Sequence, residues 1–250
     1  LGSWPTLRKP SLRLLTARRT MAFIEEVDVQ DGSDDEPIIE ELEESPPPPT
    51  KAAKPKKREK PKRDGVALTE DLIRRKAEHN EGMLSTLEEI ALHQLDIDKI
   101  EVLNSCRHLK IVYLQNTLIS KIEGVNRLKK LDYLNLALNN ITRIENLEGC
   151  ESLRKLDMTC NFIDLDELHT VGSLKDNTCL RELDLHGGNV TDDGVATLVR
   201  SLVDNPLLVA LDLSNNRVGS TGAGALASLL AASTTLEVLN LSQNSLGDAG

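Results

Sequence analysis

The sequence is 250 residues long with a formal net charge of −10, a length that suits one or two domains. Its aromatic residues are Trp4, Phe23, Tyr113, Tyr133 and Phe162, so any core is mostly aliphatic, and no run of 18 apolar residues exists to cross a membrane. Cys106, Cys150, Cys160 and Cys179 form no C-x-x-C pair, which points to reduced core thiols in an intracellular protein rather than a disulfide framework.

The charge is blocked at the start of the chain. Residues 1–20 carry five Lys or Arg and no acid, 21–50 carry eleven acids and no base, and 51–66 carry eight bases against two acids. These blocks cancel, so the remainder holds the whole −10 and lacks the basic footprint of a nucleic-acid binder. The opening LGSWPTLRKPSLRLLTARRT resembles a transit peptide in composition; a start at Met21, with an upstream read-through, is the preferred reading. Residues 1–66 are predicted to form a disordered charged arm, with Pro46 to Pro49 and a KPKKREKPKR tract that serves as a basic linker or an import signal. Ser33, followed by Asp34, Asp35 and Glu36, suits an acid-directed serine kinase.

Residues 67–86 are predicted to cap the N-terminal edge of the next region. In LTEDLIRRKAEHN, Thr69 is placed to cap a helix, Glu70 and Asp71 fall in its first turn, and Leu72, Ile73 and Ala77 share one face.

From residue 87 the spacing L-x-x-L-x-L-x-x-N repeats. Copies open at Leu87, Leu109, Leu131 and Leu153 in 22-residue steps, then at Leu180, Leu208 and Leu236. This is the leucine-rich-repeat pattern. The leucines at positions 1, 4 and 6 bracket an extended segment that points them inward, and parallel stacking of these segments builds a concave sheet. Asn139, Asn161, Asn216 and Asn244 fill position 9, where a buried amide pairs with the backbone of adjacent turns, whereas Leu95, Thr117 and Gly188 break that ladder. The expected fold is an α/β solenoid: 22-residue repeats over 87–175 with a 3-10 or irregular convex side, then 28-residue repeats over 176–250 with α-helices outside. The helices are predicted from Val195, Leu198, Val199 and Leu202, and from Ala225, Leu226, Leu229 and Leu230. The last copy stops partway, and the chain is expected to be a fragment.

Exposed strand positions 3, 5 and 7 line the hollow of such a scaffold, its usual binding face. Ile111, Tyr113 and Tyr133 are expected to form an apolar patch. Asn135 and Lys155 adjoin it, Asp157, Asp184 and Asp212 recur at one position as an acidic column, and His186 lies beside them. The expected partner presents an apolar anchor and a row of Lys or Arg. His93 and His186 are several coils apart, there is no glycine-rich phosphate loop, and no Ser or Cys has a visible base. Nothing points to an enzyme, a cofactor or a metal.

The residues LTEDLIRRKAEHNEG, LEEIALHQLDIDKIE and CRHLKIVYLQNTLISKIEGVNRLKKLDYLNLALNNITRIENLEGCESLRKLDMTCNFI closely resemble the start of the tilB-like leucine-rich-repeat family of dynein axonemal assembly factors, over about residues 68–170. The resemblance implies a non-enzymatic scaffold in the cytoplasm of ciliated cells that helps preassemble dynein arms, with dynein chains and chaperones or co-chaperones as partners. Residues 176–250 resemble ribonuclease-inhibitor-type repeats. Two other readings stay open: a regulatory subunit of a serine/threonine phosphatase, whose repeats are similar, and an inhibitor or innate-sensor fragment. The EDLIRR segment argues against the phosphatase subunit.

Overall fold

The computed structural model describes residues 65–77, 80–164 and 172–247, and the course of a two-residue strand at Arg13–Leu14. The chain divides into two compact units, Leu1–Ala17 with Arg63–Gly250, and Arg18–Lys62. The second unit, and with it Ser33 and most of the charged arm, lies outside the described residues.

Each leucine-rich copy contributes one short strand: β3 (Glu89–Ala91), β5 (Ile111–Tyr113), β6 (Tyr133–Asn135), β7 (Lys155–Asp157), β8 (Glu182–Asp184), β9 (Ala210–Asp212) and β10 (Val238–Asn240). All pair in parallel in chain order, and β1 (Arg13–Leu14) lies beside β10 at the far edge. Leu134 faces Leu156 and Leu156 faces Leu183 across the ladder, so equivalent repeat positions become neighbours one strand apart. Leu131, Leu134 and Leu136 are fully buried, as are their counterparts Leu153 and Leu156. Burying a leucine contributes about 1.5–3 kcal/mol, and most of that contact comes from adjacent coils, since one coil cannot enclose its own leucines.

The asparagines sit where the chain leaves the sheet. Asn139 Nδ2 donates to the carbonyls of Leu114 (2.8 Å) and Leu136 (3.0 Å), while its Oδ1 accepts from Ile119 N. Asn161, Asn216 and Asn244 repeat this, reaching Leu136, Leu185 and Leu213 of the preceding coil. Thr117 departs from the expectation: it is buried, and its hydroxyl donates to Asn139 Oδ1 at 2.5 Å, so the ladder continues through it. Asn177, which is not at position 9, is fully buried and donates to Leu147 and Cys150 on the convex side.

The convex side changes as the spacing predicts. Short 3-10 turns occur at Glu101–Ser105 and Gly172–Asp176, whereas helices α2 (Asp192–Leu202) and α3 (Ser220–Ala232) back the later coils. Here α2 buries Val195, Leu198, Val199 and Leu202 and is capped by Thr191 Oγ1 on Gly194 N. Between irregular coils the backbones approach closely at Gly149, where a Cβ would lie 1.7 Å from the Asn126 carbonyl oxygen.

At the N-terminal edge, helix α1 (Glu70–Lys76) is capped by Thr69 Oγ1 on Leu72 N and buries Ile73 against the first coil. The edge also carries a strand that the residue pattern did not reveal. β2 (Val66–Ala67) pairs in parallel with β4 (Ile97–Lys99) in a second, two-stranded sheet, so Val66 is structured although its charge surroundings group it with the arm.

Candidate functional site

The exposed face of the large sheet gathers eight of the nine residues singled out by position into two neighbouring rows, and His186 follows two residues after Asp184. One row runs Ile111, Tyr133, Lys155, Glu182, Ala210, Val238 and the next Tyr113, Asn135, Asp157, Asp184, Asp212, Asn240. The even-numbered position between them points inward as leucine or valine, because a strand alternates faces.

At one end is an aromatic cluster. The rings of Tyr113 and Tyr133 meet edge to face, 5.6 Å between centroids and 86° between planes, and Ile111 is the register partner of Tyr133. Asn135 Nδ2 donates to the Tyr133 hydroxyl (3.0 Å). Lys155 Nζ lies 5.4 Å from the centre of the Tyr133 ring and 2.8 Å from Glu182 Oε2. The hydrogen bond to Glu182 raises the Lys155 pKa, so this ammonium is already engaged; Glu182, at exposed strand position 3 of its copy, is its counter-ion. Burial raises the Tyr133 pKa.

Next to this cluster the acidic column is present and has a structural task. Asp157, Asp184 and Asp212 each use Oδ1 to accept the backbone N–H two residues on, from Thr159 (3.0 Å), His186 (2.9 Å) and Ser214 (2.7 Å). Asn135 and Asn240 do the same at both ends of the row. The turn therefore needs an oxygen acceptor and not a charge, which leaves three negative charges on adjacent strands that the fold does not require. Burial first, and then the neighbouring Asp157 and Asp212 charges, raise the Asp184 pKa against the lowering hydrogen bonds from His186 N and Thr159. His186 Nδ1 is 2.8 Å from Ser214 Oγ, and Asn240 Nδ2 donates to Asp212 Oδ2 (2.8 Å).

Between the two ends lies a shallow hollow of about 190 Å³, lined by Lys155, Glu182, Asp184, Asp212 and Asn240 over an apolar floor that includes Ala210 and Val238. It is open and has the Lys155–Glu182 ion pair at its rim. Among the described residues no group of three or more His, Cys, Asp or Glu is placed to hold a metal ion, and no helix is long and apolar enough to cross a membrane.

Comparison with known proteins agrees with the repeat geometry. Residues 129–169 match the family described as leucine-rich repeats (two copies), and 176–199, 204–227 and 232–250 match that described as leucine-rich repeat. The mouse protein named dynein axonemal assembly factor 11 is 58% identical over 134 residues, covering 53% of this chain and 28% of the relative. The protein of the same name from Trypanosoma brucei brucei is 54% identical over 125 residues, covering 50% of this chain and 32% of the relative. Protein tilB of Drosophila melanogaster is 58% identical over 63 residues, or 25% of this chain and 16% of the relative. The chain thus spans under a third of the length of these curated relatives. Among solved structures, an internalin (inlF) from Listeria monocytogenes superposes with a TM-score of 0.54 at 26% identity, covering 66% of this chain and 44% of that one.

Proposed function

Starting from the tilB-like leucine-rich repeats that this chain carries, we propose that it is a non-enzymatic scaffold in the assembly of axonemal dynein, working in the cytoplasm of ciliated cells. The observation that carries this reading is the 58% identity to a dynein axonemal assembly factor across half of the chain. The exposed sheet face supplies the binding surface. Tyr113 and Tyr133, with Ile111, take an apolar anchor of the partner; Asp157, Asp184 and Asp212 draw a row of Lys or Arg; Asn135, Lys155 and His186 flank the seat.

Partners of this class are dynein chains and the chaperones or co-chaperones that fold them. Electrostatic attraction sets encounter and register, and the aromatic pair supplies most of the affinity. The test is affinity purification of the full chain from ciliated cells, in parallel with Tyr113→Ala/Tyr133→Ala. Recovery of axonemal dynein heavy chains by the parent and their loss in the double variant is the expected result. Recovery of a phosphatase catalytic subunit, or of no dynein chain at all, overturns it.

A further inference from the structure

Away from the sheet face, on the rim where the strands begin, four cations converge. Lys110, Arg154 and Arg181 stand directly before β5, β7 and β8, and Lys130 directly before Leu131; with Asp132 and Leu207 they border a hollow of about 380 Å³. One carboxylate, Asp132, therefore faces four positive groups. It grips Arg154 through Nε and Nη2 and leaves Nη1 unused by that pair. The Arg154 hydrogen bond lowers the Asp132 pKa. Lys110 is paired from outside the hollow by Glu88 (2.8 Å). Lys130 and Arg181 form no close ion pair among the described residues, although the Lys130 charge is felt by Glu88.

We propose that this rim binds an extended acidic peptide segment of a partner protein, laid across the coils at right angles to the strands. Strands in a sheet are about 4.8 Å apart, so the three steps from β5 to β8 separate Lys110 from Arg181 by about 14 Å. An extended peptide rises about 3.4 Å per residue, and about four residues cover that distance. A single small anion reaches one or two of the cations; a short run of Asp or Glu reaches all of them. Arg154, pinned by Asp132, is pre-oriented to receive a carboxylate, which reduces the ordering lost on binding. The rest of the repeat array carries the chain's net negative charge and repels a long polyanion that would run beyond the rim. This surface is separate from the one assigned to the proposed function and does not depend on it.

The experiment is fluorescence polarisation of a fluorescein-labelled hexaglutamate peptide with the full 250-residue chain at low salt. Lys130→Glu/Arg181→Glu is expected to weaken binding by about tenfold or more, in line with the cost of reversing unpaired contact charges. Lys130→Gln/Arg181→Gln is expected to weaken it less, and Lys121→Glu/Arg200→Glu, with the same change in net charge elsewhere, is expected to leave it unchanged. Circular dichroism checks that each variant is folded. The proposal is overturned by absence of peptide binding, by equal loss in the Lys121/Arg200 variant, by displacement of the peptide by inorganic phosphate at equal charge concentration, or by tighter binding of an oligothymidylate to the same cations.

Discussion

The Asp192 carboxylate accepts the backbone N–H of Gly219 at 2.5 Å, so a residue in the first turn of α2 closes the start of α3 one coil later. Gly219 has no side chain with which to cap its own helix. The carboxylate also sits at the positive end of the α3 dipole, where an anion is favourable. Asp192→Ala is expected to lower stability by about 1 kcal/mol, as other N-cap losses do. Hydrogen exchange should show the amides at the start of α3 losing protection before those of α2; unchanged exchange there would refute the cross-coil cap.

Asn139 and Thr117 form a continuous buried polar seam. Removing the Asn139 amide leaves the buried Ile119 N–H without its acceptor and takes one of two side-chain donors from each of the Leu114 and Leu136 carbonyls, and a buried group left unpaired costs about 1–3 kcal/mol. Asn139→Ala should therefore destabilise the array more than Asn244→Ala, whose site is only partly buried. Thr117→Val, which keeps the shape and removes the hydroxyl, should fall between the parent and Asn139→Ala. Urea midpoints order the three variants.

Leu138 holds a left-handed backbone, φ 58°, with 47% of its surface exposed. The corresponding positions in other coils are Gln94, Asn116, Cys160, Gly187, Asn215 and Gln243, all with positive φ. A side chain branched beyond Cβ gains nothing there, and the conformation costs an ordinary L-residue about 1–2 kcal/mol. Leu138→Gly or Leu138→Asn is expected to raise the melting temperature, and a fall in melting temperature for both would contradict the strain.

Asp184 gives a dependence on pH. Its folded pKa lies above the ordinary aspartate value, so the ionised form is disfavoured in the native state relative to the unfolded chain. The resulting destabilisation is present at neutral pH, shrinks as pH falls through the raised value, and disappears below the unfolded value of about 3.9. Asp184→Asn keeps the oxygen that holds His186 N, as Asn135 and Asn240 do in the same row. It should be more stable than the parent at pH 7 and indistinguishable from it in acid.

The cysteines divide by environment. Burial pushes the Cys150 thiol up to about 12, and its Sγ–H donates to the Val125 carbonyl. Cys106 is also buried and its pKa is raised by the same cause. Cys160 and Cys179 are partly exposed. A thiol reagent at pH 8 should modify two cysteines in the native protein and the other two only after unfolding, because the thiolate is the reactive form.

The solenoid could be read from residues because its information is local and periodic. Leu131, Leu134 and Leu136 announce a strand by themselves, and Val195, Leu198, Val199 and Leu202 announce a helix. The site rows followed from the same count, since fixed steps put Tyr113 beside Asn135 and Asp157 beside Asp184. What the residues hid depends on atoms from different repeat positions meeting across coils. Lys130 and Arg154 converge only once the coil flanks are stacked, Asp192 reaches Gly219 only through two helix ends, and the β2–β4 pair is too short to show a period. The structural task of Asp157 had one signal in the sequence, the Asn that replaces it at 135 and 240.

Because Tyr133 pairs with Lys155, and Lys155 with Glu182, by identical parallel steps, the exposed sheet face is modular in whole coils. Insertion of one complete coil between β6 and β7 would leave every other main-chain pairing intact while moving the aromatic cluster and the carboxylates apart by one sheet spacing, about 4.8 Å. A lineage can thus reset the spacing of these groups in discrete notches without rebuilding the scaffold.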